Sequence, residues 1–347
     1  MSFGSKGPNP LIGWQLDRTA IRTLGRDLQR PECILAERDG TIWTADARGG
    51  VMKINPDGSQ QLISPFVDAP GNTPEAIAGY ENRYIQAQGS LPNGLCLAPN
   101  GSDFIIANWG TNALELMTRA GHLTTLCTEI DGLSLGKANF PLRDSKGRIW
   151  FTVTTRTEPW SDQINTRATD GYIALLDEHG VRIVADGFCG TNEIRFDPAE
   201  AWLYVVESTS WRISRLRVQP NGTLTDREVY GPSRLDGFPD GFAFDAYGNL
   251  WVTLIFTDQL IAITPDGDVL TLLDESNPAT KQALFTAYEN RAVTPDMLGA
   301  TMGTLAPWLA SLTFGGPDLQ TVYLGSLRGT TVPYFRSPVA GQPMIHW

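Results

Sequence analysis

Short runs of alternating apolar and polar residues recur along the whole chain, and a tight polar turn follows each run. One example is "GFPDGFAFDAYGNLWVT", which predicts a strand, a Gly-containing turn and a second strand. Five further stretches have this form, and they begin at Pro31, Pro92, Ala138, Thr191 and Ser311. Most of the copies continue into another strand–turn–strand unit, such as "QLIAITPDGDVLTLL". A four-stranded unit that repeats every ~40–60 residues is typical of a β-propeller blade.

The repeat predicts an all-β fold, a six-bladed β-propeller with four antiparallel strands in each blade. We assign residues 1–347 to one domain, with approximate blades at 31–63, 92–127, 138–188, 191–232, 238–275 and 309–338. The last copy is short of one strand, so the segment at about 14–27 is expected to supply it and close the ring. Two stacked β-sandwiches are the alternative, but they would not require one repeat throughout.

Long insertions are predicted on one face of the ring, because the turns within the hairpins are all short. The insertions span residues 64–91, 156–171 and 274–308, and the last contains "PATKQALFTAYENRA", which predicts a helix. Long loops confined to one face indicate a pocket. The helical insertion between blades five and six is therefore expected to act as its lid.

The first positions of the inner strands carry side chains with oxygen atoms. These positions hold Glu32, Asn93, Asn139, Asn192 and Asp240, whereas the sixth blade offers Ala310 or Ser311. Any one of them could be an ordinary turn residue. Together they are expected to converge at the mouth of the channel, where a divalent cation would relieve the repulsion between carboxylates. Oxygen donors without His or Cys favour Ca²⁺ first, with Mg²⁺, Mn²⁺ or Zn²⁺ as alternatives.

Composition narrows the range of partners. The 347 residues carry a formal net charge of −11, which disfavours nucleic acid as a ligand. No stretch is apolar enough to predict a membrane helix, and the N-terminus lacks a signal-peptide pattern. The four cysteines have no metal-binding spacing and are expected to be buried thiols. These features favour a cytoplasmic protein with a small-molecule substrate, and they do not indicate an oligomeric state.

Several of the same motifs carry a family resemblance over nearly the full length. They are "PECILAERDGTIWTAD", "TNEIRFD", "FPDGFAFDAYGNLWV" and "LTFGGPDLQTVYLGSL". In these motifs the chain resembles the senescence marker protein–gluconolactonase–luciferin-regenerating family of six-bladed propellers. The resemblance implies that Glu32, Asn139, Asn192 and Asp240 bind the metal. It also implies that Asp240 is the catalytic residue, acting as a general base or as a nucleophile.

The chain departs from the family pattern in its third blade. Phe140 follows Asn139 where the family frequently has an aspartate, which makes the predicted pocket more apolar and places sugar acids in doubt as substrates. Lys137 stands where sugar-lactonase relatives can carry a substrate-binding arginine. The candidates for substrate contact are Lys137, Asn93, Trp109, Arg156 and Trp211, although solvated loop positions or packing would also explain them.

The predicted function is a divalent-metal-dependent hydrolase of the carboxylic ester class, a lactonase that opens a small-molecule lactone. Asp240 would serve as base or nucleophile while one cation polarises the carbonyl group. A phosphotriesterase-like or other metal-dependent reaction at the same site is one alternative. A non-catalytic binding propeller with a structural cation is another, since a propeller fold alone does not decide function.

Overall fold

The structure, a computed structural model, describes residues 7–66 and 89–347. Within these residues, six four-stranded antiparallel sheets surround a central channel. The innermost strand of each sheet contacts the innermost strand of the next, and the sixth contacts the first, so the ring is closed. The predicted six-bladed β-propeller is therefore confirmed. The predicted insertion at 64–91 lies mostly outside the described residues.

The blades follow one another along the chain, each running from the channel outward. A short N-terminal strand precedes them, and a two-stranded hairpin follows the second blade. In chain order the first half contains β1 Arg22–Leu24, β2 Ile34–Ala36, β3 Ile42–Asp46, β4 Gly50–Ile54, β5 Gln60–Ile63, β6 Pro92–Leu97, β7 Phe104–Asn108, β8 Ala113–Met117, β9 Leu123–Cys127, β10 Glu129–Ile130, β11 Leu133–Ser134, β12 Ala138–Arg143, β13 Ile149–Val153, β14 Gly171–Asp177 and β15 Gly180–Phe188.

The second half of the chain forms the other three blades. It contains β16 Thr191–Phe196, β17 Trp202–Glu207, β18 Arg212–Val218, β19 Leu224–Tyr230, β20 Phe238–Phe244, β21 Leu250–Ile255, β22 Gln259–Ile263, β23 Val269–Asp274, β24 Leu309–Gly315, β25 Thr321–Ser326 and β26 Val332–Arg336. The sixth blade has the order β24–β25–β26–β1, so its outer strand comes from the N-terminal part of the chain. Arg22 pairs with Tyr334 and Leu24 with Val332, which places the closing strand inside the predicted segment but makes it shorter.

Three blades share one tryptophan contact that explains why the repeat is visible in the sequence. The indole nitrogens of Trp43, Trp150 and Trp251 donate to Glu37, Asp144 and Asp245, at 2.7, 3.0 and 2.9 Å. Each carboxylate stands six positions earlier, at the turn between the two inner strands. All three tryptophans are buried, so the contact satisfies a polar group that burial would otherwise leave without a partner.

In the part of the chain that the structure describes, the helices lie in the insertions. They are α1 Asp162–Thr166, α2 Pro278–Glu289 and α3 Pro295–Gly299, and single 3₁₀ turns occupy Arg18–Ala20 and Ser208–Ser210. Helix α2 begins where the sequence predicted a helix: the Asn277 side chain accepts hydrogen bonds from the backbone of Ala279 and Thr280, and Pro278 starts the first turn. No helix in the described ranges is both long and apolar enough to span a bilayer.

All four cysteines belong to the described part of the chain. Cys33, Cys96, Cys127 and Cys189 are buried and form no disulfide with one another, as expected from their apolar surroundings. Burial raises the pKa of the Cys96 thiol to about 12, which keeps it protonated. These thiols therefore contribute to packing.

Candidate functional site

A β-bulge near the start of most inner strands aims the candidate side chains. The pairing register shifts between Pro92 and Leu95, and between Ala138 and Pro141. Equivalent shifts occur in the next two blades, between residues 191 and 194 and between residues 239 and 242. Each shift spans one predicted site residue and the residue after it. A bulge interrupts the alternation of a strand and turns a side chain away from its regular direction.

Threonines on the neighbouring strands hold two of these bulges. The amide of Phe140 donates to Thr152 Oγ1 at 3.1 Å, and the amide of Gly241 donates to Thr253 Oγ1 at 2.9 Å. In both blades the threonine is twelve positions after the amide it accepts from. The bulged backbone therefore keeps a hydrogen-bond partner although its regular ladder bond is lost.

The five predicted positions converge on one cavity at the end of the channel. Its lining includes Glu32, Asn93, Asn139, Asn192 and Asp240. All five are at least nine-tenths buried. The cavity encloses about 740 Å³, including its open mouth. The polar side chains therefore form the floor of a pocket that opens on the face of the long insertions.

One half of this floor is an ion-paired cluster. Arg30 Nη1 lies 2.8 Å from Glu32 Oε2, and Arg30 Nη2 donates to Asn93 Oδ1. Asn93 Nδ2 in turn donates to Glu32 Oε1 at 2.9 Å and to the Asn139 carbonyl at 3.1 Å. Glu32 is thus held through both of its oxygens. Sequence reasoning missed Arg30; its position two residues before Glu32 was the available signal.

The other half carries oxygen atoms with few partners. Asn192 Nδ2 donates to Asp240 Oδ1 and also to Ser208 Oγ, the latter at 3.2 Å. The amide oxygens of Asn139 and Asn192 are buried without a hydrogen-bond donor in the described structure. Buried acceptors without a donor are costly. These two oxygens and the Asp240 carboxylate therefore present an electron-rich spot to the cavity.

The buried carboxyl groups of the floor have raised pKa values. Burial raises the pKa of Asp240 well above its usual range, and the charges of Glu32 and Glu193 raise it further. Arg30 and the Asn192 hydrogen bond act in the opposite direction. Burial also raises the pKa of Glu193 to about 7, although Arg195 lies 2.9 Å from it. Three carboxyl groups therefore interact inside a poorly hydrated channel, where a positive charge would be stabilising.

The residues on the floor fit a hard divalent cation. Glu32 and Asp240 supply carboxylates, and Asn139 and Asn192 supply amide oxygens that lack other partners. Calcium and magnesium bind such oxygen donors. Within the described residues, no three His, Cys, Asp or Glu side chains are placed to hold one metal ion together, so nitrogen- or sulfur-rich metal sites are not indicated. The donor set is two carboxylates and two amides.

The walls above the floor are mainly aromatic and aliphatic. Their apolar residues are Leu91, Trp109, Trp160, Ile164, Phe238, Ile255, Phe256, Trp308 and Leu327, and their polar residues are Thr154, Gln163, Ser208 and Thr209. Trp109 and Trp160 meet edge to face at 5.5 Å, and Trp308 meets Phe256 in the same way at 5.3 Å. These residues come from several insertions and strand ends. Much of the pocket surface is therefore apolar.

Helix α2 supports this wall from behind. Tyr288 contacts the Phe238 ring at 5.1 Å, and its hydroxyl donates to the Thr209 carbonyl. Trp211 stacks on Tyr288 at 4.6 Å. The predicted helix thus contacts residues that line the pocket, whereas its role as a lid stays a prediction.

Of the four other residues predicted to contact substrate, one lines the described cavity and three do not. Trp109 lines the cavity, but Lys137, Arg156 and Trp211 are not among the described residues that do. Lys137 forms an ion pair with Glu158 at 2.9 Å. Arg156 lies over the Tyr172 ring at 4.6 Å and donates to the Ser134 carbonyl. Trp211 belongs to the aromatic cluster around helix α2.

Comparison with known proteins adds a family match. Residues 65–284 match the family model described as the SMP-30/gluconolactonase/LRE-like region. A 6-deoxy-6-sulfogluconolactonase from Pseudomonas putida is 26% identical over 161 residues, 46% of this chain and 45% of that protein. The adipocyte plasma membrane-associated protein of Mus musculus is 25% identical over 299 residues, 84% of this chain and 66% of that protein. The chain thus spans about half to two thirds of the length of these relatives.

Solved structures share the fold at low sequence identity. A gluconolactonase from Xanthomonas campestris superposes with a TM-score of 0.64 at 19% identity, covering 91% of this chain and 89% of that one. A calcium-binding regucalcin from Agrobacterium tumefaciens gives a TM-score of 0.63 at 17% identity, covering 93% of this chain and 96% of that one. At such identities the likeness establishes the fold alone.

Proposed function

The chain belongs to the SMP-30/gluconolactonase/LRE-like family, and from this we propose that it is a divalent-metal-dependent lactonase. One observation carries the proposal: two carboxylates and two amide oxygens with no hydrogen-bond donor form the floor of a single pocket. The lactonases among its relatives and structural neighbours support the reaction class. The calcium-binding neighbour supports the choice of Ca²⁺.

Glu32, Asn139, Asn192 and Asp240 would hold the cation. A bound divalent cation would polarise the lactone carbonyl and stabilise the negative charge that develops on its oxygen. The open pocket above the floor leaves room for substrate and water. Side chains of the protein would carry out the proton transfers and orient the reacting groups.

Asp240 is the base in this proposal. Its carboxylate takes a proton from water as the water oxygen bonds to the carbonyl carbon, and the proton is then passed to the ring oxygen as the C–O bond breaks. The product is an open-chain hydroxy acid. Asn192 orients Asp240 through its amide hydrogen bond. Asn93 and Arg30 orient Glu32 from the other side.

Acid release from δ-valerolactone, followed in a pH-stat, tests the reaction class. We expect turnover with Ca²⁺, a loss of at least ~10-fold after chelation, and recovery when Ca²⁺ is added back, because the cation supplies carbonyl activation. Metal analysis of the purified protein accompanies the assay.

Three results would contradict the proposal. Hydrolysis of phosphotriesters without any lactone turnover would assign a different reaction to the site. A tightly bound cation with no turnover of either substrate class would indicate a binding propeller. Turnover that survives complete removal of the metal would exclude the metal-dependent mechanism.

A further inference from the structure

Several polar groups on the pocket walls form hydrogen bonds within the protein. Thr154 Oγ1 donates to the Thr191 carbonyl at 2.7 Å, and Gln163 Nε2 donates to Thr209 Oγ1 at 2.7 Å. Ser208 Oγ accepts from Asn192 at the edge of the floor. Among the described residues above the floor, the surface presented to a ligand is therefore mainly that of aromatic and aliphatic side chains such as Trp109, Trp160 and Phe256.

Such a wall discriminates between lactones by their substituents. A hydroxyl group that leaves water for an apolar surface loses hydrogen bonds, and the described residues of the wall offer few polar groups to replace them. An apolar pocket lowers kcat/KM for an analogue that carries one added hydroxyl group by on the order of 10²-fold. An alkyl or aryl substituent instead gains from burial against the same wall.

We propose that the substrate is a lactone with an apolar alkyl or aryl substituent rather than a polyhydroxylated sugar lactone. The inference rests on the proposed lactonase function and specifies its substrate class. The polar floor would hold the ester group, while the substituent would lie against Trp160, Trp109 and Leu327. Phe140, next to Asn139, packs in the channel core beneath the floor and adds no polar group.

Three δ-lactones with the same six-membered ring test this inference. They are δ-valerolactone, which has no substituent, δ-decalactone, which has an alkyl chain, and D-glucono-δ-lactone, which has hydroxyl substituents. We expect kcat/KM for δ-decalactone to exceed that for the gluconolactone by at least ~10²-fold. The rates are measured as acid release and corrected for spontaneous hydrolysis.

Two variants locate the source of the preference. Trp160→Ala should lower kcat/KM for δ-decalactone at least ~10-fold more than for δ-valerolactone, because only the former contacts the wall. Leu327→Asn should reduce the same preference by adding a polar group. The control is Trp202→Ala, which removes a partly buried tryptophan at the start of β17 in blade four, outside the pocket lining.

Each outcome has one meaning. Equal or better turnover of the gluconolactone would overturn the apolar-substrate inference while leaving the lactonase proposal intact. A preference for δ-decalactone that both wall variants retain would also overturn it. No turnover of any of the three lactones would overturn the proposed function itself.

A second inference comes from an independent feature, the buried arginine inside the ring of oxygen donors. Arg30 is 5% exposed and lines the cavity. Its guanidinium contacts Glu32 Oε2, Asn93 Oδ1 and the Pro92 carbonyl, the last at 3.1 Å. It also lies close enough to act electrostatically on Asp240. The site therefore contains a positive charge of its own.

We infer that Arg30 weakens divalent-cation binding at this site. The carboxylates of Glu32 and Asp240 contribute two negative charges, and Arg30 offsets one of them. A cation held by Glu32 would lie near the guanidinium that pairs with the same carboxylate, and like charges repel strongly in a buried cavity. This inference rests on the proposed cation site and would make the metal readily exchangeable.

Arg30→Gln is the test, with Ca²⁺ affinity measured by titration calorimetry rather than by activity. We expect Ca²⁺ to bind at least ~10-fold more tightly than to the wild type, because the competing charge is gone. Arg143→Gln is the charge-matched control, since Arg143 lines a separate cavity near Met344. Thermal unfolding in chelator shows whether each variant is folded.

The direction in which Ca²⁺ affinity changes in Arg30→Gln decides whether Arg30 weakens cation binding. Unchanged or weaker binding in folded Arg30→Gln would overturn the inference and would leave Arg30 only its positioning role toward Glu32. Equal tightening in Arg143→Gln would show that net charge alone is responsible, which also overturns it. Absence of Ca²⁺ binding in all three proteins would contradict the cation site itself.

Discussion

Asp240→Asn is expected to lower lactone turnover by on the order of 10³-fold while the propeller stays folded. Asparagine cannot accept the proton from water, and it replaces one of the two carboxylates on the pocket floor. It still offers an oxygen to the Asn192 amide. Initial rates of acid release at saturating Ca²⁺ measure the effect.

The stability of this variant has an expected direction as well. Asp240 is buried near Glu32 and Glu193, so its charge is unfavourable without a cation. In chelator, Asp240→Asn should unfold at the same temperature as the wild type or at a higher one. Asp39→Asn, at an exposed turn on the opposite face, is the control for both measurements. Near-native turnover in Asp240→Asn would exclude Asp240 as the base.

Asn139→Leu is expected to remove most of the stabilisation that Ca²⁺ provides. At a free concentration a hundredfold above Kd, a ligand that binds only the folded state stabilises it by about 2.7 kcal/mol. The Asn139 oxygen is buried without a donor, so a leucine of similar size deletes a cation ligand and leaves no new group unsatisfied. Thermal unfolding with Ca²⁺ and with chelator measures the loss.

Unfolding with Ca²⁺ and unfolding in chelator together show whether Asn139 is a cation ligand or a residue needed for the fold. In chelator the variant should unfold close to the wild-type temperature, and only the shift on adding Ca²⁺ should shrink. The control is Asn221→Leu at an exposed turn of blade four, which should retain the full shift. A full Ca²⁺ shift in Asn139→Leu would remove Asn139 from the ligand set.

The outline of the fold could be read from local patterns. Alternating residues and Gly-containing turns repeat along the chain because each blade needs the same strands and reversals, as in the stretch around Asp240. The Trp251–Asp245 contact reinforces that repeat six residues apart. Helix α2 could also be predicted from the sequence, because its N-cap and first turn are adjacent in the chain.

The make-up of the pocket depended on contacts that no local pattern records. Arg30 meets Asn93 across 63 positions, and Lys137, predicted to face substrate, pairs with Glu158 instead. The apolar wall combines residues from distant insertions, among them Trp160 and Trp308. A single sequence does not show which insertions meet.

The sequence by itself therefore determined the propeller, its six blades and the positions from which Glu32, Asn139, Asn192 and Asp240 enter the channel. Only the tertiary structure decided the direction in which those side chains point, the pairing of Glu32 with Arg30, and the residues that surround the site. The physical reason is range: strand periodicity and turn chemistry act over a few residues, whereas a bulge requires a paired neighbouring strand and the pocket contacts join residues that are distant in the chain.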